Sequence, residues 1–151
     1  MSLQQNMTHF EHIFSKKCFG HIATILPDGS PHSAPLWVIF DKEKFQFTVS
    51  VEEGSVKDKN IKNDPRVCIS VTDPDNPYHY VQIRGKVIER LLDADEETLN
   101  RLYSKYSDGK HEKYWSKYEN PILNLTIEPT KITGWGKESA YEFRSQLLDQ
   151  H

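Results

Sequence analysis

Long apolar runs are missing from this chain: nothing in it approaches the roughly 20 residues of a membrane-spanning helix. Cysteine is scarce, limited to Cys18 and Cys68, which lie far apart and each in an apolar setting. That excludes a disulfide framework and a thiolate metal centre, and reads as two buried small hydrophobes in a reducing compartment. Net charge is low, at −3, so the broad basic surface needed to neutralise phosphates is lacking and nucleic acid is not an expected partner. No G-x-S-x-G, H-E-x-x-H or Walker loop occurs, which sets aside hydrolase, zinc-protease and nucleotidase readings. The opening "MSLQQNMTHFEHIF" has no basic segment followed by a continuous apolar stretch. A cytoplasmic protein is expected, with no membrane partner and with the sequons at Asn6 and Asn124 accidental. His9 and His12 lie three apart, but no Cys or carboxylate close in sequence completes a ligand set, so no metal is expected.

What is present fits one domain. The 151 residues are enough to bury a real core, and 36% hydrophobic with 27% charged content suits a globular fold with a polar surface. The core is expected over about residues 8–137. An amphipathic helix is expected over Thr8 to Ser15, presenting Phe10, Ile13 and Phe14 on one side. "GHIATIL" (Gly20 to Leu26) reads as a strand, "PDGS" as a turn, and "PHSAPLWVIF" (Pro31 to Phe40) as the returning strand of a hairpin. Pro31 and Pro35 imply an irregular or edge stretch there, with backbone groups left open. "FQFTVSV" (Phe45 to Val51) alternates with period two, and "RVCISVT" (Arg66 to Thr72) is a fourth strand. "HYVQIRGKVIER" (His79 to Arg90) is a long fifth strand with a bulge at Gly85. Asp93 and Glu96 open a helix to about Tyr106 with Leu99, Leu102, Tyr103 and Tyr106 inward. "NPILNLTIEP" and "TKITGW" (Asn120 to Trp135) supply the last strands. Consecutive hairpin-linked strands with a few inserted helices argue an antiparallel barrel, closed or nearly so, rather than a doubly wound sheet.

One segment is odd on physical grounds. In "VEEGSVKDKNIKNDP" (Val51 to Pro65), Ser55 and Asp58 stand at capping-box spacing, so a short helix starts near Val56 and stops before Pro65. Its first turn holds Lys57 and Lys59, although a helix N-terminus is already electropositive. The lysines are either solvated charges balanced by Asp58 and Asp64, or half of an anion site. Gly54 in the turn, the Ser55 hydroxyl and the unpaired first-turn N–H groups are the makeup of a phosphate site.

"GHIATILPDGSPHSAPLWVIFD", "FTVSVEEGSVKDKNIKNDPRVCISVTDPDNPYHYVQIRGKV" and "TKITGWGK" together resemble the pyridoxamine 5′-phosphate oxidase-like, flavin-binding split-barrel family. The resemblance runs from about Phe10 to Lys137 and is most specific in the Lys-x-x-Asn-x-x-x-x-Pro-Arg stretch from Lys57 to Arg66. "DPDNPYHYVQIRG" is most similar to the branch linked to the deazaflavin F420. The resemblance implies a six-stranded antiparallel split β-barrel with peripheral helices, a homodimer, and FMN or coenzyme F420 in clefts between subunits. It implies that Ser50, Ser55, Lys57 and Asn60 hold the cofactor's phosphate. The backbone of Thr48, Val49 and Ser50 would face the ring system, and Ser33, Ala34, Pro35 and Leu36 would lie along it. Trp135 would approach it from the C-terminal side.

The chain departs from the vitamin B6 oxidases of that family. They carry cations on the second strand and before the helix lysine, where this chain has Ser33, Val38 and Val56. Vitamin B6 oxidation is therefore not expected. The implied activity is hydride transfer between FMN or F420 and a small unsaturated substrate. The cofactor supplies the chemistry and the protein position and field. His32, His79, Tyr78 and Tyr80 are the residues that could reach such a cleft, none of them assigned as acid or base. Two other readings stand beside this one. The first is a non-catalytic FMN- or F420-binding protein for storage or sensing. The second is a single-stranded nucleic-acid-binding barrel using "KYWSKY" (Lys113 to Tyr118), which the net charge disfavours.

Overall fold

The computed structural model describes residues 2–92, 96–107 and 119–136, leaving out the side chains of 96–99 and 103. The expected roles of Asp93, Leu99, Tyr103 and the segment 113–118 lie outside the described residues, as does everything from Lys137 onward.

Six strands carry the fold: β1 (Phe19–Ile25), β2 (Pro31–Asp41), β3 (Gln46–Glu52), β4 (Arg66–Asp73), β5 (Asn76–Leu92) and β6 (Ile122–Trp135). They close in the order β1-β2-β3-β6-β5-β4, all neighbours antiparallel. Period-two alternation sends one face of each strand inward. Ile22, Val38, Phe47, Val49, Ile69, Ile83, Leu125 and Ile127 meet there with no exposed surface.

The barrel is split. β2 pairs with β1 through Pro31–Trp37 but with β3 only through Val38–Asp41, opposite Val49–Gln46. Towards Pro31 the two strands part, so the stretch with Pro31 and Pro35 is an open edge, where a residue without N–H costs no ladder bond. α2 (Val56–Asn63) crosses that end of the barrel. It buries Ile61 in the core, and the Asn60 side chain donates to Thr24 Oγ1 at 3.0 Å.

The other end is plugged by the N-terminal segment. In place of one helix over Thr8 to Ser15, the chain forms α1 (Leu3–Met7) and then a 3₁₀ turn, Glu11–Ser15. Ser2 and Gln5 make a reciprocal capping box that starts α1 earlier than apolar spacing suggests. Phe10, Ile13 and Phe14 are buried as expected.

A second correction concerns the C-terminal strands, which are one strand. Gly85 pairs with Pro129 and Arg84 with Lys131, so Thr130 is the extra residue of a bulge where two strands had been expected. Gly85 sits at this bulge because a Cβ there would collide with the Glu128 carbonyl. α3 (Glu96–Tyr106) packs on the outside of β2. Leu102 and Tyr106 are buried, the Tyr106 ring is stacked on Trp37 at 4.7 Å, and its hydroxyl donates to the Cys18 carbonyl. Cys18 is buried, but Cys68 is only half-buried, with burial raising its thiol pKa. Among the described residues no helix is long and apolar enough to cross a membrane.

Candidate functional site

The site builds up from the turn between β3 and α2. Gly54 takes a positive φ of 77°, which lets the chain leave β3 and start a helix at once. Ser55 is the N-cap, and its hydroxyl accepts from the Asp58 N–H at 3.3 Å. The expected capping box is altered: the Asp58 carboxylate reaches past the cap residue to accept from the Gly54 N–H at 2.8 Å. Asp58 has no exposed surface and takes both oxygens to Arg90 of β5, at 2.7 and 3.0 Å. Burial alone would push its carboxyl up. The Arg90 bonds, the Gly54 N–H and the charges of Arg90 and Lys62 outweigh that and hold it below the usual range.

This arrangement takes both aspartates away from the lysines. Asp58 is committed to Arg90 and Gly54, and Asp64 is committed to Arg66 at 2.7 Å. Among the described residues neither Lys57 nor Lys59 has an ion-pair partner. The N–H groups of Val56 and Lys57 likewise have no acceptor, as the first turn of a helix dictates. Lys57 is half-buried and Lys59 exposed. The helix start is thus a net positive, donor-rich spot.

It opens beside the split. Pro31, Ser33 and Pro35 point outward from the open edge of β2, and Thr48 and Ser50 point outward from β3. Ser50 Oγ donates to Asn124 Oδ1 at 2.8 Å, which fixes it at the top of β3. Not every residue singled out from sequence turns its side chain this way. Leu36 and Val49 are inward and belong to the core, so only their backbone can line a cleft; Ala34 alternates inward with Leu36. Asn60 is buried against Thr24 and holds the helix in place.

Trp135 is not brought to this spot. It ends β6 opposite Tyr80, whereas the other end of β6, at Ile122, lies opposite Glu52 beside α2. Of the residues named as able to reach a cleft, Tyr78 and Tyr80 are exposed on β5, and His32 lies on the open edge of β2. His79 is buried, with its Nδ1 on the Trp135 carbonyl at 2.9 Å.

Sequence reasoning missed Arg90, because nothing local pairs it with Asp58 across 32 residues. It also missed a groove of about 660 Å³ on the outer wall, lined by Ala23, Ile25, Cys68 and the cations Arg66, Arg84, Lys86 and Lys131. Alternate positions on β5 could have shown its basic stripe.

Known proteins share this architecture. The chain is similar to a solved F420 reductase at 29% identity and TM-score 0.70, covering 82% of this chain and 95% of that one. It also matches General Stress Protein 26 from Bacillus anthracis, at 19% identity, TM-score 0.62 and coverage of 92% and 96%. An FAD-binding protein from Mesorhizobium loti matches at 20% identity, TM-score 0.57 and coverage of 77% and 82%. The last two likenesses show the fold alone. Residues 8–136 match the pyridoxamine 5′-phosphate oxidase family model, a span that runs from the N-terminal plug to the end of β6, and the chain belongs to that family.

Proposed function

We propose that this protein is a flavin- or deazaflavin-dependent oxidoreductase. In this reading FMN or coenzyme F420 lies along the open edge of β2, and a small unsaturated substrate stacks on the cofactor ring. The observation that carries it is the half-buried Lys57 at a helix start whose carboxylates are all engaged elsewhere. The Lys57 ammonium and the N–H groups of Val56 and Lys57 hold the cofactor's anionic group. The Ser55 hydroxyl, an acceptor for Asp58, keeps its proton to donate. Asn60 and Ser50 position the helix and the top of β3. Ser33 and Pro35 offer the ring a flat edge, with Pro35 contributing no competing N–H.

The bound cofactor supplies the hydride chemistry, and the protein supplies orientation and field. Vitamin B6 oxidation stays outside the proposal. Ser33 is neutral, Val38 is sealed in the core, and Val56 is exposed and apolar at the helix start. The likeness to a solved F420 reductase supports the deazaflavin side of the reading. The working unit is proposed to be a homodimer, with Trp135 entering the cleft from the second chain.

The test is titration of cofactor-stripped protein with FMN and with F420, followed by fluorescence, for the parent, Lys57→Ala and Lys59→Ala. Removing a charge-assisted bond costs about 1.5–3 kcal/mol, roughly a ten- to hundredfold weaker Kd for Lys57→Ala. Lys59→Ala stays near the parent. Melting of the stripped Lys57→Ala protein is equal or slightly raised, since a cation leaves the positive end of a dipole. A Lys57→Ala protein that binds like the parent places the anion elsewhere.

A further inference from the structure

The 3₁₀ turn, the β4–β5 hairpin and the end of β6 bring together three ligating side chains that are far apart in sequence. His12, Asp73 and His79 present one donor atom each, all within 4.8 Å of one another. His12 Nε2 stands 3.1 Å from His79 Nε2 and 3.7 Å from Asp73 Oδ2. We propose that these three residues form a binding site for a borderline divalent cation such as Zn²⁺, clasping the N-terminal plug to the barrel.

The seat is built as metal seats are. A backbone carbonyl only accepts, so the contact of His79 Nδ1 with the Trp135 carbonyl at 2.9 Å puts the ring proton on Nδ1. In the neutral ring that leaves Nε2 unprotonated on the side of His12, whose ring lies nearly parallel at 4.9 Å, with the Nδ1–H held by a carbonyl as in many ligating histidines. The His79 ring is held by Phe10, stacked at 5.6 Å. Gly136 makes room for it, since a Cβ there would lie 2.7 Å from Nδ1. Asp73 is anchored through Oδ1, which accepts from Lys16 Nζ at 2.8 Å and from the Asp75 N–H at 2.9 Å. Its Oδ2 is thereby left to face His12. Asp73 and His79 are both buried, while the His12 side chain is 44% exposed and gives an ion its way in.

The dimensions agree. Zinc–nitrogen bonds of about 2.0–2.1 Å at a tetrahedral centre set ligand atoms about 3.3 Å apart, close to the His12–His79 and His12–Asp73 separations. The remaining edge, between His79 and Asp73, lies within 4.8 Å and shortens as the carboxylate turns toward a shared ion. Two imidazoles and a carboxylate suit Zn²⁺, with solvent as fourth ligand on the His12 side. The Lys16 charge is offset by Asp75 at 2.8 Å as well as by Asp73, so the cluster is anionic before an ion enters.

The experiment uses the full chain, stripped with a chelator and without cofactor, titrated with Zn²⁺ by calorimetry and with Co²⁺ by visible absorption. The expected result is one ion per chain, a raised melting temperature with Zn²⁺ but not Mg²⁺, and intense tetrahedral Co²⁺ bands. His12→Gln changes the exposed ligand, so it melts like the metal-free parent yet loses affinity by at least about 10–100-fold, the cost of disturbing even an outer-sphere partner. Asp73→Asn gives a second, independent loss. A parent that gains neither a bound ion nor thermal stability overturns the proposal and leaves a plain N–H···N hydrogen bond between the histidines. Zn²⁺ binding unchanged in His12→Gln also overturns it, because the ion then sits at another histidine.

Discussion

Asp58→Asn tests the foundation of the helix start. The substitution keeps the shape of a fully buried side chain and removes the charge that Arg90 holds through two bonds at 2.7 and 3.0 Å. Breaking a buried ion pair typically costs about 3–5 kcal/mol. The low end, about 3 kcal/mol, applies here, because the Arg90 side chain keeps 28% of its surface in solvent and has Glu53 at 3.9 Å to fall back on. For a chain of this size that is a fall of about 6–12 °C in Tm at neutral pH. The pH dependence carries a sign. Asp58 is held below its ordinary value, so its contribution is complete above the unfolded carboxylate value near 3.9 and is lost as pH falls through the lower folded one. The gap between parent and variant is therefore full near neutrality and narrows below about pH 4. Melting both proteins across a pH series reads the difference directly and cancels the other carboxylates they share. A gap undiminished at about pH 3 would assign the loss to packing of the amide, and no gap at neutral pH would mean the pair contributes nothing.

Gly85→Ala drives a Cβ into the Glu128 carbonyl at the β5–β6 bulge and should cost about 1–3 kcal/mol in a denaturant melt. An unchanged midpoint would show that the bulge relaxes freely. If the cofactor cleft is completed by a second chain, sedimentation at micromolar concentration should give a dimer with a large apolar interface. A monomer that binds cofactor tightly contradicts that.

Much of the barrel was legible because its signals are local. Alternation in "FQFTVSV", the turn residues of "PDGS" and the prolines on the open edge of β2 each act within a few residues, and the structure keeps them. The bulge at Gly85 was legible too, but not its counterpart at Thr130, since an extra residue is defined only against a partner strand. α1 was missed because a reciprocal cap between Ser2 and Gln5 outweighs apolar spacing in a helix of 5 residues. The candidate site divides the same way. Its loop and lysines are contiguous in sequence. The inward turn of Leu36 and Val49, the capture of Asp58 by Arg90 and the meeting of His12, Asp73 and His79 all depend on closure of the barrel. Asp58 shows the consequence most sharply. Read locally it neutralises the lysines, but a cation delivered by β5 consumes it and leaves the helix start positive.

The placement of Trp135 bears on how many chains a working site requires. β6 is 14 residues long, and it runs from Ile122, opposite Glu52 at the α2 end, to Trp135, opposite Tyr80 at the plugged end. At about 3.3 Å per residue such a strand spans on the order of 40 Å before coiling shortens it. No side-chain movement closes that distance within one barrel, and the His79 contact to the Trp135 carbonyl holds the strand end where it is. In the proposed homodimer, Trp135 would meet a cofactor seated at Lys57 from the second copy of the chain, with the plugged end of one barrel facing the split of the other. The outward cations Arg84, Lys86 and Lys131 lie on the wall between those two ends. In such an assembly they would face the same cleft and add positive field to the Lys57 end. Trp135→Ala would then weaken cofactor binding without unseating the N-terminal plug. In mixed dimers of a Trp135→Ala chain with a Lys57→Ala chain, one cleft would carry both defects and the other neither if the two residues come from different chains. Two singly impaired clefts, with none of parent affinity, are the result expected if they come from the same chain.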